Sequence, residues 1–403
     1  MESKMNFIQP KTENQLKIEN LLTKISEMDS KNVDFSAPTN ELFISTEDNK
    51  THIICESKKG EPTRFLKVND LCLEQICKTT KLGKDEEDEN DTKNYLPVKT
   101  GRLLRSNFPK IFDKLVNQVW LEKPKQKMLR CVDDLQAENH LTARAFLSNN
   151  FKRFDNLDLL NASLETILNS NADWQLQNYS LTDRRFYLNL RSANQVGDGA
   201  NVGDVMANGL LISNSEIGMG SILVRQLIWT LACLNGLQTQ NEDKKAHLTS
   251  AQSNSDLMNI LSDKAKDLDN QLLAETLRNI IAKYASDETF NEVREKFKRA
   301  DQDVIEGEYS VTKVSENLNS FLALPKKNVE SITEGLFKTL QQSGYNDGRM
   351  TRATMVNAVT SIANTVSPDD AEDWQVNGNK VLNMNNSDWQ KISKNSLKEK
   401  EVA

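Results

Sequence analysis

Motifs that would identify a common enzyme are missing from this sequence. Its three histidines, His52, His140 and His247, lie far apart, and no cysteine accompanies them at the spacing of metal ligands. A zinc site would have to be assembled from scattered residues. Neither a Gly-Lys-Ser/Thr run nor a Gly-x-Ser-x-Gly turn occurs, so no phosphate-binding P-loop or serine-hydrolase elbow is predicted. We expect no metal, no cofactor and no enzymatic activity, and keep an unrecognised hydrolase as a third hypothesis.

Long apolar runs are also absent. No window approaches the roughly 20 apolar residues that a membrane-spanning helix needs, and the N-terminal segment MESKMNFIQPKTENQ lacks the apolar core of a signal peptide. The five cysteines are an odd number, scattered through the chain without secretory features. Free thiols in a reducing compartment are expected from this usage. We therefore expect a cytoplasmic protein that does not bind a membrane.

Positive charge is not in excess, because the formal net charge is −7. A nucleic-acid site would then be a local basic groove, since salt confines the influence of each surface charge to about 10 Å. The chain has 403 residues, of which 27% are charged and 37% hydrophobic. That length is sufficient for two or three domains with cores of their own.

The stretch 184–237 is the most informative part of the chain, and its pattern predicts an antiparallel β-meander. Phe186, Leu188 and Leu190 alternate with polar residues, as in a strand with one buried face. The glycine-rich loop GDGANVG, a second run over 205–213, the turn NSEIGMG and the run SILVRQLIWTLAC follow, and the meander is expected to close at Asn235-Gly236. GDGANVG lacks the GxGxxG spacing and a following helix, which favours a hairpin loop over a nucleotide site.

Apolar periodicity and turn residues predict the other elements. Strand fragments are expected at 41–45 and 52–55, a strand or short helix at 143–150, and helices at 12–29, 65–82, 105–123, 156–168, 253–284, 290–305, 315–324, 327–342 and 352–366. The fold class is therefore predicted as α+β, a central antiparallel β-meander packed by helices with a helical C-terminal region.

Composition divides the chain into four predicted regions. Residues 1–94 form an N-terminal α+β region that ends in the acidic run KDEEDENDTKN at 84–94, which is expected to be a flexible linker. Residues 95–250 form the central α+β core and 251–370 a helical region. Residues 371–403 are polar, and we expect a partly disordered tail there.

Cations beside aromatics are the only positive sign of a binding site. Single-stranded nucleic acid needs both, because cations track the phosphates while aromatic faces stack the bases at about 1–3 kcal/mol each. The alternative is a purely structural role, in which the cationic residues keep the surface soluble and Phe151 and Phe154 belong to the core. The candidate nucleic-acid-binding residues are Lys152, Arg153, Arg184, Arg185, Tyr187, Arg191 and Arg225.

Arg225 is unusual because it lies inside the otherwise apolar run SILVRQLIW. Burial of an unpaired guanidinium would be prohibitive. Arg225 is therefore either paired internally with a carboxylate such as Glu216, or turned toward a groove.

Three segments resemble a known family in the same order. NGLLISNSEIGMGSILVRQLIWTLACLNGL resembles the central signature of a phage- and plasmid-borne domain of unknown function, number nine-three-two, in which an Asn-Ser-Glu-x-Gly turn precedes a strand ending in Cys-x-Asn-Gly. ARAFLSNNFKRFDNLDLL resembles its upstream element, and TRATMVNAVTSIAN its closing helix. The resemblance covers roughly 141–382. Asn149 and Phe151 stand where the family usually has Asp and Tyr, which puts any role of those side chains in doubt.

The resemblance implies a context of phage and mobile-element genes near recombination functions, in a bacterial host cell. A strand-rich core beside helices is also similar to single-strand annealing proteins of the Redβ and Erf type, a likeness at the level of fold alone. The leading hypothesis is an ATP-independent single-stranded DNA binding or annealing protein that acts in recombination and assembles as a homo-oligomeric ring or filament. The alternative is a phage protein that modulates a host defence or replication component through its helical C-terminal region.

Overall fold

The computed structural model describes residues 12–56, 63–82, 95–133, 140–170, 172–198, 205–230, 235–245, 263–341 and 348–397. It has the predicted α+β class, with two mainly antiparallel sheets and a helical C-terminal region. The acidic run 84–94 and most of the GDGANVG loop lie outside the described residues. None of the helices in the described ranges is long and apolar enough to cross a membrane.

The first sheet has six strands in the order β1-β5-β6-β4-β3-β2. Only β4 and β6 pair in parallel. Strands from both sides of 84–94 thus build one sheet, which corrects our expectation of a domain boundary there. The strands are β1 Asn32–Pro38, β2 Leu42–Glu47, β3 Lys50–Cys55, β4 Arg64–Val68, β5 Gln126–Asp133 and β6 His140–Ser148.

This first sheet is strongly curled. Strands β1 and β2 occupy opposite edges, yet only the short helical turn Thr39–Glu41 joins them. Flat strands at about 4.8 Å spacing would separate the edges by about 24 Å, whereas four Cα steps span at most about 15 Å. The Arg64 guanidinium on β4 lies 5.0 Å from the ring centroid of Phe35 on β1. A contact across three strand positions is consistent with that curl.

Helices α2 (Asp70–Thr79), α3 (Val98–Asn107) and α4 (Pro109–Glu122) cover one face of the first sheet. The predicted helix at 65–82 is wrong at its start, because Leu66 and Val68 are buried in strand alternation and α2 begins only after its cap, Asn69. The predicted single helix at 105–123 is also two helices, and Pro109 begins the second. Proline is well suited to a first helical turn because it lacks the N–H that would be unpaired there.

The second sheet is the predicted meander. Its five strands lie in the order β11-β10-β9-β8-β7, all antiparallel, so the meander extends one strand beyond the prediction on each side. Asn235-Gly236, the expected end, begins β11. The strands are β7 Trp174–Leu181, β8 Phe186–Asp198, β9 Val205–Asn214, β10 Ile222–Thr230 and β11 Asn235–Lys245.

Three helices pack on one face of the meander. They are α1 (Glu13–Asp29), α5 (Asn156–Asn169) and α6 (Asp263–Tyr284). Helix α1 confirms the prediction at 12–29, with Thr12 as its cap. The first ten residues of the helix predicted at 253–284 lie outside the described residues.

The C-terminal helices form a third core. Helices α7 to α10 confirm the four helices predicted between 290 and 366, with shifted ends. The polar tail expected from residue 371 is instead helical as far as residue 395, because Trp374, Val381, Leu382 and Ile392 are buried at helical spacing within an Asn-rich sequence. These helices are α7 Asp287–Gln302, α8 Val311–Phe321, α9 Asn328–Leu340, α10 Arg352–Ser361, α11 Pro368–Leu382 and α12 Asn386–Asn395.

Candidate nucleic-acid interface

Three of the predicted binding residues meet at the contact between the meander and α11. Arg185 Nη1 lies 3.3 Å from Glu372 Oε2, and Arg225 Nη1 donates to Glu372 Oε1 at 2.9 Å. The Tyr187 hydroxyl donates to Asp369 Oδ1 at 2.8 Å. Burial, the hydrogen bond to Asp369 and the nearby carboxylates raise the pKa of this phenol far above its usual range. Tyr187 is therefore a neutral donor that holds α11 on the sheet.

This packing corrects the predicted groove at Arg185, Tyr187 and Arg225. Helix α11 covers the sheet where the groove was expected, and its two carboxylates engage all three side chains. The internal pairing considered for Arg225 is present, but its partner is Glu372 and not Glu216. No local sequence pattern could indicate this pairing, because Arg225 and Glu372 are 147 positions apart in the sequence.

The predicted pair Lys152 and Arg153 is likewise tied to neighbouring groups. Arg153 Nε donates to Asp155 Oδ2 at 2.5 Å and Nη1 lies 3.5 Å from Asp34. Lys152 is half-buried and has an interaction partner of its own. The flanking rings of Phe151 and Phe154 are buried. These phenylalanines are core residues and cannot serve as stacking platforms.

Arg184 and Arg191 form no ion pair with residues that the structure describes. Arg184 is exposed. The pKa of the Glu74 carboxyl group is lowered mainly by a hydrogen bond from Lys78, and the nearby charge of Arg184 lowers it further. Arg191 is half-buried and lies seven positions further on, at roughly 20 Å along an extended strand. The structure therefore does not bring the predicted cations together on one open surface.

The turn NSEIG at 214–218 joins the two sheets. Glu216 Oε1 accepts a hydrogen bond from the backbone N–H of Asn156 at 2.9 Å, and Glu216 Oε2 accepts one from Arg144 Nη2 at 3.1 Å. Asn214 Nδ2 donates to the Phe154 carbonyl at 2.9 Å and to Asn156 Oδ1 at 3.0 Å. The first and second resembling segments thus contact each other directly. These side-chain contacts hold the two sheets together at this junction.

A buried arginine completes the junction. Arg130 on β5 is fully buried, with 0% of its side chain exposed, and its Nη2 lies 2.9 Å from Asp34 and 2.7 Å from Asp155. Its Nη1 donates to the Glu216 carbonyl at 2.7 Å. Buried charges persist only when they are paired and hydrogen-bonded. This network is enclosed, and its arrangement is that of a structural support.

An open surface of suitable chemistry lies on the first sheet, on the face opposite its buried core, and α4 runs along the β2 edge of this surface. Ile44, Ile53 and Leu66 form the buried row on the helix side. On the other side Phe43, Ile54 and Phe65 form a row across β2, β3 and β4, since Phe43 pairs with Ile54 and Ile54 with Phe65. Phe43 is 50% exposed and Phe65 40% exposed.

The neighbouring row on this face is polar. Ser45, His52 and Lys67 are paired across the same three strands, and Lys67 is exposed. Aromatic rings next to a cation are the combination that single strands require. The sequence does not indicate this surface directly, because its apolar spacing predicts a helix over 65–82. The signal was present as alternation in LFISTE and RFLKV, where the phenylalanines fall opposite the buried positions.

No group of three or more His, Cys, Asp or Glu residues in the described ranges could hold a metal ion. No family model, curated protein or solved structure matches the chain.

Proposed function

We propose that the protein binds single-stranded DNA on the outer face of its first sheet and promotes strand annealing without ATP. The observation that carries this proposal is the row of Phe43, Ile54 and Phe65, held in register across three strands with both phenylalanine rings exposed. Soluble proteins rarely leave aligned aromatic side chains in water unless the surface binds something. The resemblance to a phage- and plasmid-borne family, with its expected recombination context, stays a prediction and agrees with this choice.

The geometry of the row suits a flexible strand. Phe43 and Phe65 lie two strands apart, or about 10 Å, so each ring can stack a separate base at about 1–3 kcal/mol. Lys67 in the next row can approach the phosphates. Stacking occupies the faces of the bases and leaves their pairing edges free, which is the condition for annealing to a second strand.

Assembly of several subunits remains part of the proposal, but not through every sheet edge. Asn117 of α4 bonds both backbone groups of Ile44 on β2, and Asn14 of α1 bonds the Trp174 carbonyl and Leu176 amide on β7. These side chains occupy edge positions that another strand would need. We therefore expect subunits to meet elsewhere.

The test is a titration of labelled single-stranded oligonucleotide at two salt concentrations with Phe43→Ala and Phe65→Ala variants. Phe337→Ala is a matched control, because this phenylalanine of α9 is 48% exposed in the C-terminal region. Each substitution on the sheet should weaken binding about tenfold, in line with a stacking energy of about 1–3 kcal/mol. Affinity of both sheet variants equal to that of Phe337→Ala would reject this surface.

A second candidate is an interaction with another protein, as in our alternative hypothesis. The observation that favours it is a set of exposed large apolar side chains on and between α3 and α4, at Leu103, Phe108, Ile111 and Leu121. This surface lies outside the helical C-terminal region in which we expected a partner to bind. Absence of oligonucleotide binding at low salt, with capture of a specific partner that Leu121→Ser abolishes, would favour this function.

A further inference from the structure

A small cavity at one end of the curled first sheet is lined by four lysines and by no described carboxylate. Lys81 follows α2, Lys123 and Lys125 lie between α4 and β5, and Lys127 is the second residue of β5. Thr39, Thr79, Val119, Trp120 and Phe146 complete the wall. The cavity belongs neither to the exposed phenylalanine row nor to the junction around Arg130.

Lys127 is the most unusual of these residues. It is only 8% exposed, and its ammonium group makes no hydrogen bond or ion pair with the part of the chain that the structure describes. Its Nζ lies 5.3 Å from the ring centroid of Phe146, which stacks on Trp120 with 5.3 Å between ring centroids. The face of this aromatic ring therefore compensates part of the charge of Lys127.

This arrangement is costly for the protein alone. An ammonium group loses its hydration on burial, and an aromatic face restores only part of that energy. The charge of Lys125 adds repulsion. Burial, and then Lys125, lower the pKa of Lys127 to about 8. A strongly shifted pKa in a cavity marks a candidate functional site, and clustered lysines donate charge-assisted hydrogen bonds to anions.

We propose that this cavity binds a phosphate dianion. Its volume of about 40 Å³ is room for about three water molecules, which suits one tetrahedral oxyanion and not a nucleobase. Lys127 would donate to the anion from the cavity wall, and the less buried Lys81 and Lys125 from its rim. The phosphate could be free or could be the 5′ end of a nucleic acid. The site does not depend on the proposed DNA surface, since inorganic phosphate alone should occupy it.

The test measures binding of sodium phosphate at pH 7 by calorimetry and thermal unfolding, against sodium chloride of equal ionic strength. The wild-type protein should bind phosphate saturably. Lys127→Met should weaken binding at least tenfold, as expected for loss of a charged hydrogen bond. Lys125→Met should weaken phosphate binding several-fold. Because Lys125 is exposed, this substitution should leave the fold intact. Lys99→Met, at an exposed lysine of α3 outside the cavity, should bind normally.

Sulfate provides a second readout because its charge is constant between about pH 6 and 10. Its binding should weaken as pH rises through about 8, where Lys127 loses its proton. Phosphate binding by both Lys127→Met and Lys125→Met equal to wild type, or a wild-type response no larger than that to chloride, would overturn the proposal.

Two oligonucleotides distinguish the sources of the phosphate. If the ligand is a strand end, an oligonucleotide with a 5′-phosphate should bind more tightly than one with a 5′-hydroxyl, and Lys127→Met should remove the difference. If the ligand is a free anion, Lys127→Met should weaken the binding of inorganic phosphate but leave the binding of both oligonucleotides unchanged. Either result supports the site, and neither depends on Phe43 or Phe65.

Discussion

Arg225 and Glu372 form a 2.9 Å ion pair that joins the third strand of the predicted meander to a helix 147 positions away. Arg225 is almost fully buried, and the other oxygen of the same carboxylate faces Arg185 at 3.3 Å. One glutamate therefore serves two arginines. The C-terminal helices are held on the sheet by a shared charge as well as by apolar packing.

Glu372→Gln should destabilise the protein severely. The substitution retains size but leaves two poorly hydrated guanidinium groups without their carboxylate. Removal of one partner of a buried pair typically costs about 3–5 kcal/mol. Urea unfolding should show this loss, whereas Glu330→Gln on the exposed part of α9 should change stability by less than about 0.5 kcal/mol. Similar midpoints for the two variants would contradict the assigned role of Glu372.

Arg184 and Arg185 are adjacent, but alanine substitution should destabilise the protein at Arg185 and have little effect at Arg184. Arg185 Nη2 donates to Ser213 Oγ and to the Ser221 carbonyl, both at 2.9 Å, in addition to its pairing with Glu372. Loss of these bonds should lower the unfolding free energy by about 2–4 kcal/mol. Arg184 is exposed, so its replacement should be nearly neutral. Chemical denaturation of both variants measures the contrast, and equal losses would count against the assignment.

Asn117→Ala should open the edge of β2. The Asn117 amide accepts from the Ile44 N–H at 2.8 Å and donates to the Ile44 carbonyl at 2.9 Å, as a neighbouring strand would. Unpaired backbone groups cost about 1–3 kcal/mol each when shielded from water, and an open edge promotes association. We expect lower stability and concentration-dependent aggregation in light scattering. Gln118→Ala, at the exposed neighbouring position, should show neither effect. An Asn117→Ala protein that is monodisperse and as stable as wild type would refute this role.

The extent to which the sequence predicts the fold differs between the two sheets. The meander was predictable because its strands are consecutive, and Phe186, Leu188 and Leu190 alternate with polar residues. The first sheet was harder because β4 pairs with β6 across 75 positions, and β1 with β5 across 88 to 100 positions. Strands such as Arg64–Val68 are also too short for their period to stand out from a following helix.

The candidate site shows the same limit. Arginine and tyrosine on a strand predicted a groove, and only the long-range approach of Asp369 and Glu372 reveals that these side chains are engaged. The two carboxylates lie at the start of α11, in a region whose polar composition predicts a partly disordered tail from residue 371 onward. Local chemistry thus identified important residues at Arg185 and Arg225, but it could not supply their partners.

Lys127→Met should stabilise the protein at neutral pH and remove part of its pH dependence. The pKa of Lys127 is lowered to about 8 in the folded state by burial and by Lys125, against an ordinary value of 10.5. Between these values the unfolded chain binds more protons than the folded one, so the unfolding free energy of the wild type should rise with pH in that window.

The corresponding penalty below pH 8 is about 3 kcal/mol, at 1.36 kcal/mol for each pKa unit. Methionine fills similar space without charge, so the variant should be more stable than wild type by up to this amount at pH 7. Its advantage should shrink toward pH 10.5. Urea unfolding at several pH values, in buffers free of phosphate and sulfate, measures the difference. Lys99→Met should show no such trend, and a Lys127→Met protein less stable than wild type at every pH would mean that this lysine supports the fold.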